Sequence, residues 1–160
     1  MVLQNRKTAI MVRFRTFILT ILFASLVIVI YTTSLLDAPL FGLTRNYITA
    51  ILLGIFVLIL LFQYFLNLCF IYYSDEGNNL IFRFYSLRIF SNKKNSIEIP
   101  KNSFVRFETK KNSLGLKASL FLYQQMRSGV AKYPPIPITS LTKEERRIIH
   151  DSLSRYVKKV

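Results

Sequence analysis

The sequence predicts an α+β membrane protein: a transmembrane helical hairpin, then a small antiparallel β domain, then a C-terminal α-helix that caps it. Three observations carry this reading. Two apolar runs, at 16–36 and 48–66, contain no charged residue. Between 70 and 133 apolar and polar residues alternate with period 2, interrupted by turn-forming clusters. After 141 the spacing becomes helical, opened by the capping-box pattern Thr142-x-x-Glu145.

Each apolar run matches the ~20 residues a helix needs to cross a ~30 Å hydrocarbon core. The break between them holds Asp37, Pro39, Gly42 and Arg45. The hairpin therefore occupies 16–70, with helices at 16–36 and 47–70 and a connector at 37–46. Charge sets its orientation. Residues 1–15 carry Arg6, Lys7, Arg13 and Arg15 with no acid, the connector is neutral, and 71–160 holds 17 Lys or Arg against 7 Asp or Glu. Positive flanks stay in the cytoplasm, so 1–15 is predicted as a basic cytoplasmic arm, 37–46 faces outward and both termini are cytoplasmic. The N-terminus imitates a signal peptide, but its apolar run is longer than an h-region, no small-residue cleavage site follows, and a second run comes soon after. An uncleaved anchor is expected.

Neither run contains Asp, Glu, Lys, Arg or His, which argues against a proton relay or an ion-coupled transporter. Gln63 and Asn67, spaced i and i+4, share one face near the inner end of the second helix. They are candidates for interhelical contact; wetting at the headgroup level is the alternative. Cys69, the single cysteine, cannot form an intrachain disulfide and is read as a small buried apolar residue.

Beyond the hairpin, strands at 70–74 and 80–87 flank the turn Asp75-Glu76-Gly77-Asn78-Asn79. In the second strand Leu80, Phe82 and Phe84 alternate with Ile81, Arg83 and Tyr85. A basic turn at 91–95 leads to Ile97-Glu98-Ile99-Pro100. The strand at 104–109 is predicted with Val105 and Phe107 inward and Arg106 and Glu108 outward. After a turn at 110–113, the longest strand sets Leu116, Ala118, Leu120 and Leu122 on one face and Lys117, Ser119, Phe121 and Tyr123 on the other. Pro134, Pro135 and Pro137 confine a last strand at 130–133 to an edge. The helix over 141–157 carries Leu141, Ile148, Ile149, Leu153, Tyr156 and Val157 at helical spacing, with Arg155, Lys158 and Lys159 near its end, where cations suit the helix dipole.

The segment 73–84, the step Ile97-Glu98-Ile99-Pro100, and Pro137-Ile138-Thr139-Ser140-Leu141-Thr142 leading into the helix resemble the bacterial pleckstrin-homology-like (PH-like) membrane proteins. The resemblance covers 71–160. It implies a cytoplasmic PH-like domain, a small barrel or sandwich of two roughly perpendicular antiparallel sheets capped by the C-terminal helix, in a multi-pass protein of the bacterial inner membrane. Domains of this kind are mostly non-catalytic interaction modules. Their phosphoinositide-binding eukaryotic relatives hold basic residues in the first hairpin, where this chain has Asp75 and Glu76.

The sequence has no phosphate-binding glycine loop, no G-x-S-x-G and no H-E-x-x-H. The single His150, among Arg146, Arg147 and Asp151, cannot make a zinc site alone. No catalytic residue, metal or cofactor is expected. Arg88, Lys93, Lys94, Lys101, Lys110 and Lys111 fall in turns and at strand ends. They are candidate contacts for anionic lipid headgroups, each worth on the order of 1 kcal/mol near such a surface; ordinary solubilising charge is the alternative. Nucleic acid is not an expected partner, because no recognition helix or RNA-binding sheet signature accompanies the positive charge. Phe121 and Tyr123 form a candidate partner patch, unless the C-terminal helix or the N-terminal arm covers them. The function these features imply is that of a non-enzymatic accessory or scaffold protein, a small subunit of a membrane complex, whose β domain docks protein partners or its own copies. The alternative is a sensor or tether that binds anionic lipid headgroups through basic turns.

Overall fold

The computed structural model describes residues 1–33, 44–88, 93–112 and 114–157. Most of the predicted connector, the turn residues Ser91, Asn92 and Ser113, and the terminal Lys158 and Lys159 lie outside the described residues. The chain forms two compact units, Met11–Phe65 and a composite of Met1–Ile10 with Leu66–Val160.

Two helices, α1 (Arg6–Thr32) and α2 (Arg45–Leu66), are long and apolar enough to cross a membrane. Within the unit Met11–Phe65 they meet through few but specific side chains. Thr16 Oγ1 lies 2.8 Å from Gln63 Oε1, Phe23 stacks on Phe56 with ring centroids 4.4 Å apart, and the Tyr31 hydroxyl donates to Asn46 at 3.2 Å. Residues late in α1 thus meet residues early in α2, so the helices run antiparallel. Much of their remaining surface is bare: α2 buries no residue, and Ile28 and Leu58 are 60% and 66% exposed.

The composite unit contains two antiparallel sheets and a helix. The first sheet has the order β1 (Val2–Gln4), β2 (Cys69–Ser74), β3 (Asn79–Ser86), β4 (Lys94–Pro100). In the second, β6 (Ala118–Met126) pairs with β5 (Phe104–Lys111), with β7 (Gly129–Lys132) and with β8 (Ile136–Pro137). The expected alternation places Ile71 and Tyr73, Leu80 and Phe82, and Ile97 and Ile99 inside. Gly77 supplies the positive φ, +67°, that lets the β2–β3 turn close without a Cβ penalty. Helix α3 (Lys143–Ser154) presents Ile149 and Leu153 to the core that both sheets share. It starts where the capping box places it: Glu145 N donates to Thr142 Oγ1 at 3.2 Å, and Thr142 N donates to Glu145 Oε2 at 2.7 Å. Leu141 sits just before the helix and also enters the core.

Three departures from the sequence reading have physical causes. The segment 1–15 is not a separate arm, because Val2–Gln4 pairs with β2 and the four basic residues lie within α1. Leu3 repays this by entering the core, and Asn5 by stitching the junction. Its amide donates to Cys69 O at 3.1 Å and Ser140 Oγ at 3.0 Å, and its Oδ1 accepts from Ile71 N at 2.8 Å. Asn5 is 1% exposed, so each of these bonds satisfies a group sealed from water. In β5, a register shift between Phe104 and Arg106 inserts one residue, so Phe104 and Phe107 face inward and Val105 does not. Asn67 lies beyond the end of α2 with φ +48°, and so terminates the helix instead of extending the face of Gln63.

A second buried polar group joins the same sheet to α3. The Met1 α-ammonium lies 2.5 Å from Asp75 Oδ1, the Ser152 hydroxyl donates to Asp75 Oδ2 at 2.6 Å, and Ser152 Oγ is 2.7 Å from the Tyr73 hydroxyl. Burial pushes the Asp75 carboxyl up, but the α-ammonium and the Ser152 hydroxyl outweigh it and hold the group below its ordinary 3.8.

Candidate functional site

The outer face of the second sheet brings together aromatic and charged side chains of three strands. Strand β6 turns Ala118, Leu120 and Leu122 inward, so Ser119, Phe121, Tyr123 and Gln125 point outward. The register then fixes their neighbours. Arg106 of β5 lies opposite Tyr123, which lies opposite Lys132 of β7; Glu108 is opposite Phe121, and Lys110 is opposite Ser119.

Cations lie over both rings. The Arg106 guanidinium sits 4.5 Å from the Tyr123 ring centre, and the Lys132 ammonium sits 4.2 Å from Phe121 and 5.9 Å from Tyr123. Lys110 approaches Phe121 at 5.7 Å. This coverage leaves Tyr123 only 8% exposed on a face that points away from the core. The aromatic pair is thus sheltered neither by α3 nor by the N-terminal strand, but by charged side chains of adjacent strands. Contacts of this type are worth about 0.5–1 kcal/mol each at an exposed site. Their larger effect is to lay the side-chain stems down and hold the charged heads at the surface. One acid is present, Glu108, 3.4 Å from Arg106 and 3.9 Å from Lys110. Three cations against one carboxylate leave the face positive, and the pairing of β5, β6 and β7 fixes the arrangement.

The six candidate lipid contacts are not gathered on one surface. Lys101 donates to the Asp75 carbonyl at 2.6 Å and lies 4.6 Å over Tyr156, which makes it part of the packing of the composite unit. Lys110 belongs to the outer face just described, while Lys111 is the next residue and points to the opposite side of β5, across from Ala118. Lys93 and Lys94 are exposed at the start of β4. Arg88 is half-buried, and its charge opposes the rise in the Cys69 pKa. Burial dominates there and pushes the thiol up to about 11, so Cys69 stays protonated and unreactive at neutral pH. Gln63 meets Thr16, as described; Asn67 caps a helix end. His150 is exposed on α3, edge-on to Phe107 with ring centres 4.9 Å apart and 3.8 Å from Asp151.

Sequence reasoning reached Phe121 and Tyr123 but missed Arg106 and Lys132 as the residues that cover them. Only strand register brings these together, and the bulge in β5 shifts that register by one. No protein-family model, curated protein or solved structure matches the chain.

Proposed function

We propose that the protein is a non-enzymatic accessory protein of the bacterial inner membrane whose PH-like β module docks an acidic protein partner on the outer face of β5, β6 and β7. The observation that carries this reading is the aromatic pair Phe121 and Tyr123 roofed by Arg106, Lys110 and Lys132. Tyrosine and arginine are the residue types enriched at binding hot spots, and the lysine heads beside them add the positive charge of a polar rim. The sign of the charge selects the partner: a second copy of a +14 chain would bring like charge, whereas an acidic surface would be attracted and oriented.

Membrane anchoring by α1 and α2 completes the proposal. At about 25 cal/mol per Å² of apolar surface, helices as bare as these gain strongly by leaving water for hydrocarbon. Basic flanks on both sides of the hairpin favour a cytoplasmic location for both termini and for the β module. The test is purification of the tagged full-length protein from native membranes in mild detergent, in parallel with an Arg106→Glu/Lys132→Glu variant. A stoichiometric companion protein, lost in the variant while the melting temperature is kept, is the expected result. A companion retained equally by the variant, or a lone monomer from both, overturns the reading.

A further inference from the structure

A concavity lies on the side of β5 opposite the docking face. It is a groove of about 400 Å³ between that strand and α3. Its floor is apolar, built from Phe107, Leu120, Ile138, Leu141, Ile149 and Leu153. It exists because the inward positions of β5 run out of apolar residues: after Phe107 they are Thr109 and Lys111, opposite Leu120 and Ala118, and neither fills the space under the helix. The volume lies within the usual range of small-molecule sites, roughly 300–1,000 Å³. At ~30 Å³ per water-sized group it holds on the order of a dozen heavy atoms.

The rim is of one sign. Lys111 from β5 and Lys143, Arg146 and Arg147 from α3 line the groove, with His150, and among the described residues no carboxylate does. Among the described residues none of these four cations has an acidic partner, although α3 carries acids. Glu145 is committed to the capping box and Asp151 lies beside His150. Arg146 is the most exacting of the four. Its Nη2 donates to the Thr139 carbonyl at 2.9 Å, while its Nε is buried and has no hydrogen-bond partner among the described residues. Burial lowers the pKa of its guanidinium, the mark of a charge removed from water without a counter-ion. A half-buried guanidinium at the edge of an apolar trough, with no counter-ion among the described residues, is a charge that an anion in the trough would balance.

We propose that this groove is a binding site for a single-chain anionic amphiphile, an alkyl chain ending in a carboxylate or phosphate, with the chain on the apolar floor and the head on Arg146, Arg147, Lys143 and Lys111. An inorganic anion would use the rim and leave the floor wet. A peptide would bring amide N–H groups that need acceptors, and among the lining side chains only Thr109 and neutral His150 can accept. The site is compatible with the membrane placement proposed above and does not depend on it.

The test uses the full-length protein in neutral phosphatidylcholine nanodiscs, with methyl resonances of Thr109, Ile138 and Ile149 as the readout. Decanoate and decyl phosphate are titrated as probes, against decyltrimethylammonium, inorganic phosphate and an acidic peptide. Saturable shifts with the two anionic amphiphiles are expected, with about tenfold weaker binding in Arg146→Gln and only partial recovery in Arg146→Lys, which keeps the charge but not the planar fork. Thr109→Phe fills the groove from the strand side without touching charge, and it abolishes the response read at the Ile138 and Ile149 methyls. Equal binding of decyltrimethylammonium, saturation by inorganic phosphate or the peptide alone, or shifts that never saturate would each overturn the proposal.

Discussion

Replacing Asn5 by alanine tests how the composite β unit is tied together. The side chain makes three buried hydrogen bonds, to Cys69 O, Ser140 Oγ and Ile71 N. Removing it does not affect all three partners equally. Cys69 O retains the Ser140 hydroxyl, and that hydroxyl can still donate to it. The Ile71 N–H loses the carboxamide oxygen that faces it inside the protein. An orphaned buried donor costs about 1–3 kcal/mol and each lost neutral hydrogen bond about 1 kcal/mol, so the expected destabilisation is about 2–4 kcal/mol. For a unit of this size each kcal/mol lowers the melting temperature by about 4–8 °C, so the shift is on the order of 10–30 °C. Thermal unfolding in mild detergent, followed by the β-sheet circular dichroism signal, measures it. Asn5→Asp should be no better than alanine: it keeps an acceptor for Ile71 N but sets a carboxylate against the Cys69 carbonyl. Gln125→Ala, on the exposed end of β6, is the control and should change stability by less than about 0.5 kcal/mol. A melting point for Asn5→Ala equal to that of the control would refute the argument that the N-terminal strand is an integral part of the unit.

Two further outcomes follow from the same unit. Thr142→Ala removes the α3 capping box and should cost about 1 kcal/mol in the same melt, with Thr142→Ser close to wild type. The Asp75 carboxyl, held below its ordinary 3.8 in the folded protein, binds a proton more readily when unfolded; its contribution is therefore present above pH 3.8 and lost as pH falls through the lower folded value. Asp75→Asn should melt below wild type at neutral pH and converge on it in acid, and a gap that is constant with pH would contradict the assignment.

Most elements were legible because their signals are local. Alternation of Leu80, Phe82 and Phe84, or of Leu120 and Leu122, needs only neighbouring residues, and the capping box at Thr142 and Glu145 marks a helix start within four positions. What escaped depended on distant pairing. Val2–Gln4 is too short for periodicity to register, and it becomes a strand only because β2 offers an edge 70 residues later. The bulge at Val105 adds one residue without altering composition, so the inward set was assigned one step out of phase before Arg106. Asn67 follows Gln63 at helical spacing, yet it is also a residue type that tolerates the left-handed conformation, and there the second property prevailed. The groove was the least legible feature. Lys111 and Arg146 are far apart in sequence, and only the packing of α3 against β5 places them on one rim.

The most direct measurement on the proposed docking face is photo-cross-linking from position 121 in native membranes. A benzophenone side chain in place of Phe121 projects from the centre of the Arg106, Lys110 and Lys132 cluster, and the same group in place of Arg83, exposed on β3, serves as the reference. One dominant adduct from position 121, to a protein with an acidic surface and absent from position 83, is the result the docking account requires. Matching adducts from both positions, or adducts only to other copies of this chain, would contradict it.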